Sequence, residues 1–309
     1  MSTPDKRAAA MSASANESAF RRVFVVLDVT SDHSPAMESA ASLAAGFDAE
    51  LVALFVEHGQ LEQLENHPLV RTLDLPTGMG RTIELGTMRR SWRAMAHRMR
   101  RQLAMVSRRY RVQSHFETIQ GDVVEQIQQQ AGSTDVFVVN SSGRALTRRV
   151  RVKSRSHTMG CNMAAPVVFV GQRPRQLRSV ATVYDGSPLA KKGLQTALQL
   201  TTRPPAMLTV LLVADSGEQA QNMQQEISEM LRERRARVHP HARRITCCDT
   251  SEIVHVTRHV HASFLIIPGN ADYPGGDDIN ELTRQLDCPL LVLREGRQQE
   301  PAQDNDDEK

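Results

Sequence analysis

Short, unbroken runs of aliphatic residues recur along the 309-residue chain and predict its strands. Runs without polar alternation are typical of parallel strands that are covered on both faces. Between the runs, apolar residues recur at spacings of three and four, as they do on one face of a helix. In the first half the runs fall at residues 22–28, 51–56, 136–139 and 167–170, and a further strand without such a run is predicted at about residues 112–118.

The same order of elements restarts after residue 171. Asp28 and Asp185 each end an apolar strand, and they lie 157 residues apart. The next strands, at residues 50–56 and 207–213, keep that offset. An offset held across two elements indicates an internal repeat. Each half has the pattern β-α-β-α-β-α-β-α-β. The predicted fold class is therefore α/β, with two tandem doubly wound, Rossmann-like five-stranded parallel sheets.

The predicted domains follow from this repeat. The first spans residues 21–172 and the second spans residues 178–295. Residues 1–20 are rich in Ala and Ser, and residues 296–309 are polar and acidic, so both ends are predicted to be disordered. Scattered Pro and Gly between residues 58 and 86 predict a long irregular segment.

Two further helices are predicted in the first half. In the helix after the first strand, Ser34 or Asp32 can cap the N-terminus and Gly46 closes the C-terminus. The other helix is predicted at residues 121–130.

A long amphipathic helix is predicted at residues 87–109. Its stripe of Met, Leu and aromatic residues favours packing against the core rather than a cofactor site. The opposite face is rich in arginine, which suits either a solvated surface or a face that binds a polyanion. These arginines are Arg89, Arg90, Arg93, Arg98, Arg100, Arg101, Arg108 and Arg109.

Composition and charge bear on the partners and the location to expect. The net charge of +3 is too small to imply a polyanion partner by itself. The four cysteines form no C-x-x-C pair, so we expect neither a disulfide framework nor a zinc site, and a reducing cytoplasm is the expected location. No apolar segment approaches the roughly 20 residues of a membrane span, and the N-terminus lacks a signal-type apolar core. We expect no association with a membrane.

Catalytic chemistry is not evident in the sequence. The candidate nucleophiles are Ser141, Ser142, Cys161 and the Cys247-Cys248 pair, but no His or acid stands at a spacing that recommends a triad. His255 and His259 fall one helical turn apart, which suits two metal ligands, yet no nearby carboxylate or thiol motif completes the set. We predict a protein that is not an enzyme and has no metal site.

Several short motifs together carry a resemblance to a known family. They are the strand-end acids Asp28 and Asp185, the loop after each fourth strand, and the Pro-aliphatic sequences at residues 165–168 and 288–291. Because these motifs occur in this order and are duplicated, the chain resembles a tandem universal stress protein of the UspA-like group over residues 22–295. The resemblance implies a role in stress response or regulation. It also implies pairing of the final strands of the two domains within the chain, with a homodimer as a further option.

ATP-binding members of that family resemble one another in a Gly-x2-Gly-x9-Gly-Ser/Thr loop after the fourth strand. Glycines let backbone N–H groups approach phosphates, and the hydroxyl adds a donor. Laid onto this chain, the loop reads Asn140-x2-Gly143-x9-Lys153-Ser154. The spacing and hydroxyl survive, but two glycines do not. Arg144 and its basic neighbours make the loop cationic, so side chains could hold a phosphate.

The resemblance thus implies ATP, another adenine nucleotide or a different anion as ligand of the first domain. The implied site residues are Asp28 on the nucleoside side and Asn140, Gly143, Arg144, Lys153 and Ser154 on the phosphate side. A degenerate, solvated loop is the alternative.

We expect little or no binding in the second domain. It keeps Asp185, but residues 268–272 hold one glycine and no basic residue, and Asp277 and Asp278 would repel phosphate. The alternative function is binding of a nucleic acid or an acidic partner by the arginine helix and the loop at residues 144–155.

Overall fold

The computed structural model describes residues 20–27, 33–57, 71–73, 80–82, 85–120, 132, 134–140, 165–171, 177–202, 207–233, 240–245, 249–269 and 273–294. The apolar runs form strands, as predicted. In chain order the elements are β1 (Arg22–Leu27), α1 (Ser34–Phe47), β2 (Glu50–Glu57), β3 (Arg71–Leu73), β4 (Gly80–Thr82), α2 (Leu85–Tyr110), β5 (Ser114–Gln120), β6 (Asp135–Asn140), β7 (Val167–Val170), β8 (Ser179–Tyr184), α3 (Pro188–Thr202), β9 (Met207–Val213), α4 (Gly217–Glu233), β10 (His241–Ile245), α5 (Thr250–His259), β11 (Phe264–Pro268), α6 (Gly276–Gln285) and β12 (Leu290–Leu293).

Ten strands form one mixed, mostly parallel sheet in the order β10-β9-β8-β11-β12-β7-β6-β1-β2-β5. Each half contributes five parallel strands in the same doubly wound order. The halves meet at β7 and β12, which pair antiparallel with Val168 opposite Leu291. The predicted α/β class with two doubly wound halves is confirmed, and the two five-stranded units are continuous in a single sheet.

The strand register repeats along with the sequence. Arg22 of β1 pairs with Glu50 of β2, and Ser179 of β8 pairs with Met207 of β9. The 157-residue offset therefore connects structurally equivalent positions.

Two apolar layers cover the faces of the sheet, and each layer runs through both halves. One layer includes Met37 of α1 and Leu194 of α3, both fully buried. The other includes Phe137 of β6 and Leu265 of β11. The helices of the two halves come close on the first face, because a Cβ added to Gly46 would lie 3.0 Å from Cδ2 of Leu200. The halves therefore share their hydrophobic cores.

The ends of α1 differ from the prediction. Gly46 was expected to close this helix, but the helix continues to Phe47, and Asp48 takes the left-handed conformation after it, with φ of 54°. Asp tolerates that conformation better than most residues. His33 is the N-cap residue, rather than Ser34 or Asp32. Gly46 instead allows the close approach to α3.

The N-terminal boundary of the first domain also differs from the prediction. Phe20, assigned to the disordered arm from sequence, is fully buried and packs edge-to-face on Phe47, with ring centroids 5.0 Å apart. Residues 1–19 and the tail at 296–309 lie outside the described residues, as does the helix predicted at 121–130.

The segment at residues 58–86 is not wholly irregular. Strands β3 and β4 pair antiparallel within it, with Thr72 opposite Arg81. Strands of three residues without an apolar run are too short for periodicity to reveal.

Candidate functional site

The carboxyl ends of two neighbouring strands define the ligand edge in each half. The first and fourth strands of each half lie side by side, β1 next to β6 and β8 next to β11. Open α/β sheets bind ligands in the crevice at this topological switch point. In the first half Asn140 ends β6 there, and in the second half Asp185 follows β8 and Gly269 follows β11.

Asn140 is the one predicted site residue that the structure describes. It is 8% exposed and pairs across the sheet with Val170 of β7. Gly171 follows, and apart from its chain neighbours no described atom lies within 4 Å of the place that a Cβ would occupy. Among the described residues, the edge beside Asn140 is therefore open on its β7 side. The other predicted residues, Asp28, Gly143, Arg144, Lys153 and Ser154, lie outside the described residues.

Arg294 fills the equivalent place in the second half. It follows β12 as Gly171 follows β7, and it is 7% exposed. Its Nη2 donates a hydrogen bond of 2.9 Å to the carbonyl oxygen of Pro274. A Cβ added to Gly269 would lie 2.8 Å from the carbonyl oxygen of Leu293 and 3.3 Å from Cζ of Arg294. A ligand phosphate would meet protein atoms at this point.

Arg294 was not among the predicted site residues, because the family motif concerns only the loop after the fourth strand. The second half does hold an arginine at its ligand edge, contributed by the end of the fifth strand. A comparison of the residues that follow the two final strands, Gly171 and Arg294, would have revealed the difference.

The first turn of α6 carries its own anion. Asp278 Oδ2 accepts a hydrogen bond of 2.9 Å from the backbone N–H of Gly275, and Asp278 Oδ1 accepts one of 3.2 Å from Thr250 Oγ1. A helix N-terminus is a ready site for an anion. The Asp278 carboxylate occupies that site here, and its charge opposes a phosphate. This geometry gives a physical reason to expect weak binding in the second half.

Asp185 takes part in a turn. Its Oδ1 accepts a hydrogen bond of 2.9 Å from the backbone N–H of Ser187, and Gly186 between them has a φ of 83°. Ser187 Oγ in turn accepts a hydrogen bond of 3.1 Å from the N–H of Ala190 in the first turn of α3. The Asp-Gly-Ser sequence therefore shapes a turn and caps a helix, and both roles are independent of a ligand.

A polar cluster lies next to Asp185. The fully buried Tyr184 donates a hydrogen bond of 2.9 Å to Glu226 Oε2, and Lys191 Nζ lies 2.6 Å from Glu226 Oε1. Burial, together with the Glu226 carboxylate, raises the pKa of Tyr184 above its ordinary value. The hydrogen bond from Lys191 lowers the pKa of Glu226. At neutral pH Tyr184 is a neutral phenol, and Lys191 and Glu226 form an ion pair. These contacts connect α3 and α4 to β8.

Helix α2 has the amphipathic character predicted for it. Met99 and Leu103 are buried, and Met95 and Val106 pack against the same core, which confirms the core-packing interpretation. The opposite face is exposed and basic. A shallow depression of about 410 Å³ lies along it, lined by His97, Arg100, Arg101 and Ala104.

The remaining candidates form no reactive group in the described residues. Ser141, Ser142, Cys161 and the Cys247-Cys248 pair lie outside them. His255 and His259 are exposed on α5, and within the described ranges no three His, Cys, Asp or Glu side chains are placed to hold a metal ion. None of the helices in those ranges has the length and apolar character needed to cross a membrane.

Comparison with known proteins supports the fold. No family model and no curated protein matches the chain. A universal stress protein from Archaeoglobus fulgidus DSM 4304 aligns with 89% of this chain and 97% of its own, at 15% identity and a TM-score of 0.64. A candidate universal stress protein from Pseudomonas aeruginosa UCBPP-PA14 aligns with 90% of this chain and 94% of its own, at 14% identity and a TM-score of 0.54.

A third similar structure is the cytoplasmic domain of a prokaryotic cation chloride cotransporter. It aligns with 90% of this chain and 97% of its own, at 15% identity and a TM-score of 0.54. At such identities the likeness establishes the fold alone, and one fold can serve different functions. The predicted resemblance is confirmed at that level: this chain has the universal-stress-protein fold over nearly its whole length.

Proposed function

We propose that this protein is a non-enzymatic regulator of the universal-stress type that binds an adenine nucleotide in its first half and none in its second. The main support is the difference between the two ligand edges. At the position after the fifth strand, the first half has Gly171, which adds no side chain to the edge, whereas in the second half Arg294 fills the edge beside β12. In addition, Asp278 occupies the N-terminus of the helix that follows the second-half loop.

In this proposal the ligand lies between the ends of β1 and β6. Asp28 directly follows β1 and would hold the nucleoside side. Asn140 ends β6, and the residues after it, Gly143, Arg144, Lys153 and Ser154, would hold the phosphates. Backbone N–H groups, a hydroxyl and guanidinium groups all suit phosphate oxygens. These assignments rest on the family resemblance. ATP is the ligand to test, and another anion of similar charge is the alternative.

The second half has a structural part in this proposal. In this proposal the second half is a structural partner of the first, and the pairing of β12 with β7 supports that role. We place the protein in the reducing cytoplasm, where the buried thiol of Cys288 would remain reduced.

Thermal unfolding with ATP and magnesium tests the proposal. A ligand that binds only the folded state raises the melting temperature, and ligand at 100 times its Kd stabilises by about 2.7 kcal/mol. We expect a rise that Lys153→Glu abolishes, because the substitution replaces a cation of the phosphate side with an anion. The ATP should be recovered unhydrolysed. The absence of any shift at millimolar ATP would contradict nucleotide binding, and release of phosphate would contradict the non-enzymatic role.

A further inference from the structure

The exposed face of α2 is a row of cations without an intervening acid. Over its 26 residues the helix has eight arginines, one histidine, no lysine and no Asp or Glu. At a rise of about 1.5 Å per residue, the 18 steps from Arg90 to Arg108 extend this row over about 27 Å. The row faces away from the buried Met99 and Leu103, so it lies in solvent.

Four of the eight arginines have no counter-charge among the residues that the structure describes. Arg109 forms an ion pair with Glu38, with 2.8 Å between Nη1 and Oε1. The Arg100 guanidinium lies over the ring of Phe116, 4.8 Å from its centroid. The exposed Arg93, Arg98, Arg101 and Arg108 form no ion pair with any residue that the structure describes. Like charges one turn apart repel each other and destabilise a helix, so fold stability does not explain the row.

The centre of the row borders a shallow depression. His97, Arg100, Arg101 and Ala104 lie on successive turns of one helix face and line the depression of about 410 Å³. The short side chain of Ala104 leaves space between the longer basic ones. An anionic group there could contact both Arg100 and Arg101, and a guanidinium can bind two oxygens of one phosphate.

We infer that the basic face of α2 binds the phosphate backbone of a nucleic acid. An elongated face of guanidinium groups matches a ligand whose charges repeat along its length, and arginine suits phosphate geometry better than lysine does. The aromatic residues of the helix, Trp92 and Tyr110, lie on its apolar side. The basic face therefore has no aromatic side chain on which a base could stack. Contacts to the backbone alone predict binding that is independent of sequence and strongly dependent on salt.

Two other partners fit less well. A membrane-surface helix inserts its apolar face, but the apolar face of α2 is packed into the core of this protein. An acidic protein could meet the charge, but its carboxylates have no reason to repeat along a straight line. The inference is also independent of the nucleotide proposal, because α2 lies on the face of the sheet near the edge strand β5 and not at the switch point.

Fluorescence anisotropy with short labelled duplexes of DNA and of RNA tests the inference on the full chain. The test variant is R93E/R101E. The matched control is R232E/R243E, which makes the same change in net charge at exposed positions on α4 and β10. We expect affinity to fall steeply between about 50 and 200 mM salt. The test variant should weaken binding at least about tenfold and reduce the slope of log affinity against log salt by about two. The control should bind almost as the wild type does.

Each result decides the inference. Binding of either duplex with selective loss in R93E/R101E supports it and identifies which nucleic acid is bound. Absence of binding at the lowest salt, or equal loss in the two variants, would overturn it. Tighter binding of polyglutamate than of either duplex would also overturn it and indicate an acidic protein partner. Melting curves establish that the variants fold, and R93Q/R101Q replaces the test variant if it does not.

Discussion

Asp278 lies at the N-terminus of α6, where its Oδ2 accepts a hydrogen bond of 2.9 Å from the backbone N–H of Gly275. A carboxylate of the protein thus occupies a position that a phosphate would occupy at a helix N-terminus. Arg294 also lies at this ligand edge, where its Nη2 donates a hydrogen bond to the carbonyl oxygen of Pro274. The same residue should contribute to stability.

Asp278→Ala should lower the free energy of unfolding by about 1 kcal/mol, because it removes the acceptor for an otherwise unbonded N–H of the helix end. Urea denaturation measures the change. Asp277→Ala is the control, because Asp277 is exposed in the same helical turn. Its carboxylate interacts only with the helix dipole, so the substitution should lower the free energy of unfolding by about 0.3–1 kcal/mol at most. A larger loss in Asp277→Ala than in Asp278→Ala would contradict the capping role.

The closed edge of the second half predicts a sharp difference between two glycines. Gly269→Ala should destabilise the protein by about 1–3 kcal/mol, because the new Cβ would lie 2.8 Å from the carbonyl oxygen of Leu293, which belongs to the rigid backbone of β12. Gly217→Ala is the control, since none of the described atoms outside its own chain neighbours and helix backbone lies within 4 Å of a Cβ there. It should be neutral or slightly stabilising. Similar melting temperatures for the two variants would show that the edge is not tightly packed.

Tyr184 predicts a dependence of stability on alkaline pH. Its pKa is raised in the folded state, mainly by burial and then by its hydrogen bond to Glu226. Above the ordinary tyrosine pKa of about 10, the unfolded chain loses this proton while the folded protein keeps it. The stabilising contribution is therefore complete below pH 10 and is lost as pH rises toward the folded-state pKa.

Denaturation curves across this pH range provide the measurement. Tyr184→Phe should show a smaller loss of stability above pH 10 than the wild type does, although the variant is less stable at neutral pH because the Glu226 hydrogen bond is lost. Tyr110→Phe is the control, because Tyr110 is a half-buried tyrosine whose pKa is also raised. An alkaline slope unchanged in Tyr184→Phe would contradict the assignment.

The shared cores predict that the two halves unfold together. Trp92 is the only tryptophan and lies in the first half, so its fluorescence reports that half. Leu291 in the second half is fully buried and faces Val168 across the β7–β12 pair. Leu291→Ala should cost about 2–5 kcal/mol and lower the urea midpoint reported by Trp92 as much as that reported by circular dichroism. An unchanged Trp92 midpoint would mean that the halves unfold independently.

The sequence was sufficient to predict the strands and the repeat, because buried parallel strands require continuous aliphatic runs such as those around Val25 and Val138. It was insufficient where a residue's role depends on a distant neighbour. Arg294 could not be assigned to the ligand edge until the sheet placed it beside Gly269. Gly46 was interpreted as a helix end because its contact with Leu200 involves the other half of the chain. Phe20 belongs to the core although it follows an Ala- and Ser-rich segment.

For the candidate site, the structure describes only one of the residues that the family motif predicts. Asn140 does lie at the end of β6 at the switch point. The polar network of Tyr184, Lys191 and Glu226 had no signal in the sequence, because these residues come from three elements that meet only after folding.

The most direct test of the central claim is the stoichiometry of ATP binding, measured by equilibrium dialysis of the wild type, Asp28→Ala and Asp185→Ala. Asp28 and Asp185 are equivalent in the repeat, so each variant is the control for the other. We expect one ATP per chain in the wild type, one in Asp185→Ala and none in Asp28→Ala. Two ATP molecules per wild-type chain, or loss of binding in Asp185→Ala with binding retained in Asp28→Ala, would contradict the claim that only the first half holds a nucleotide.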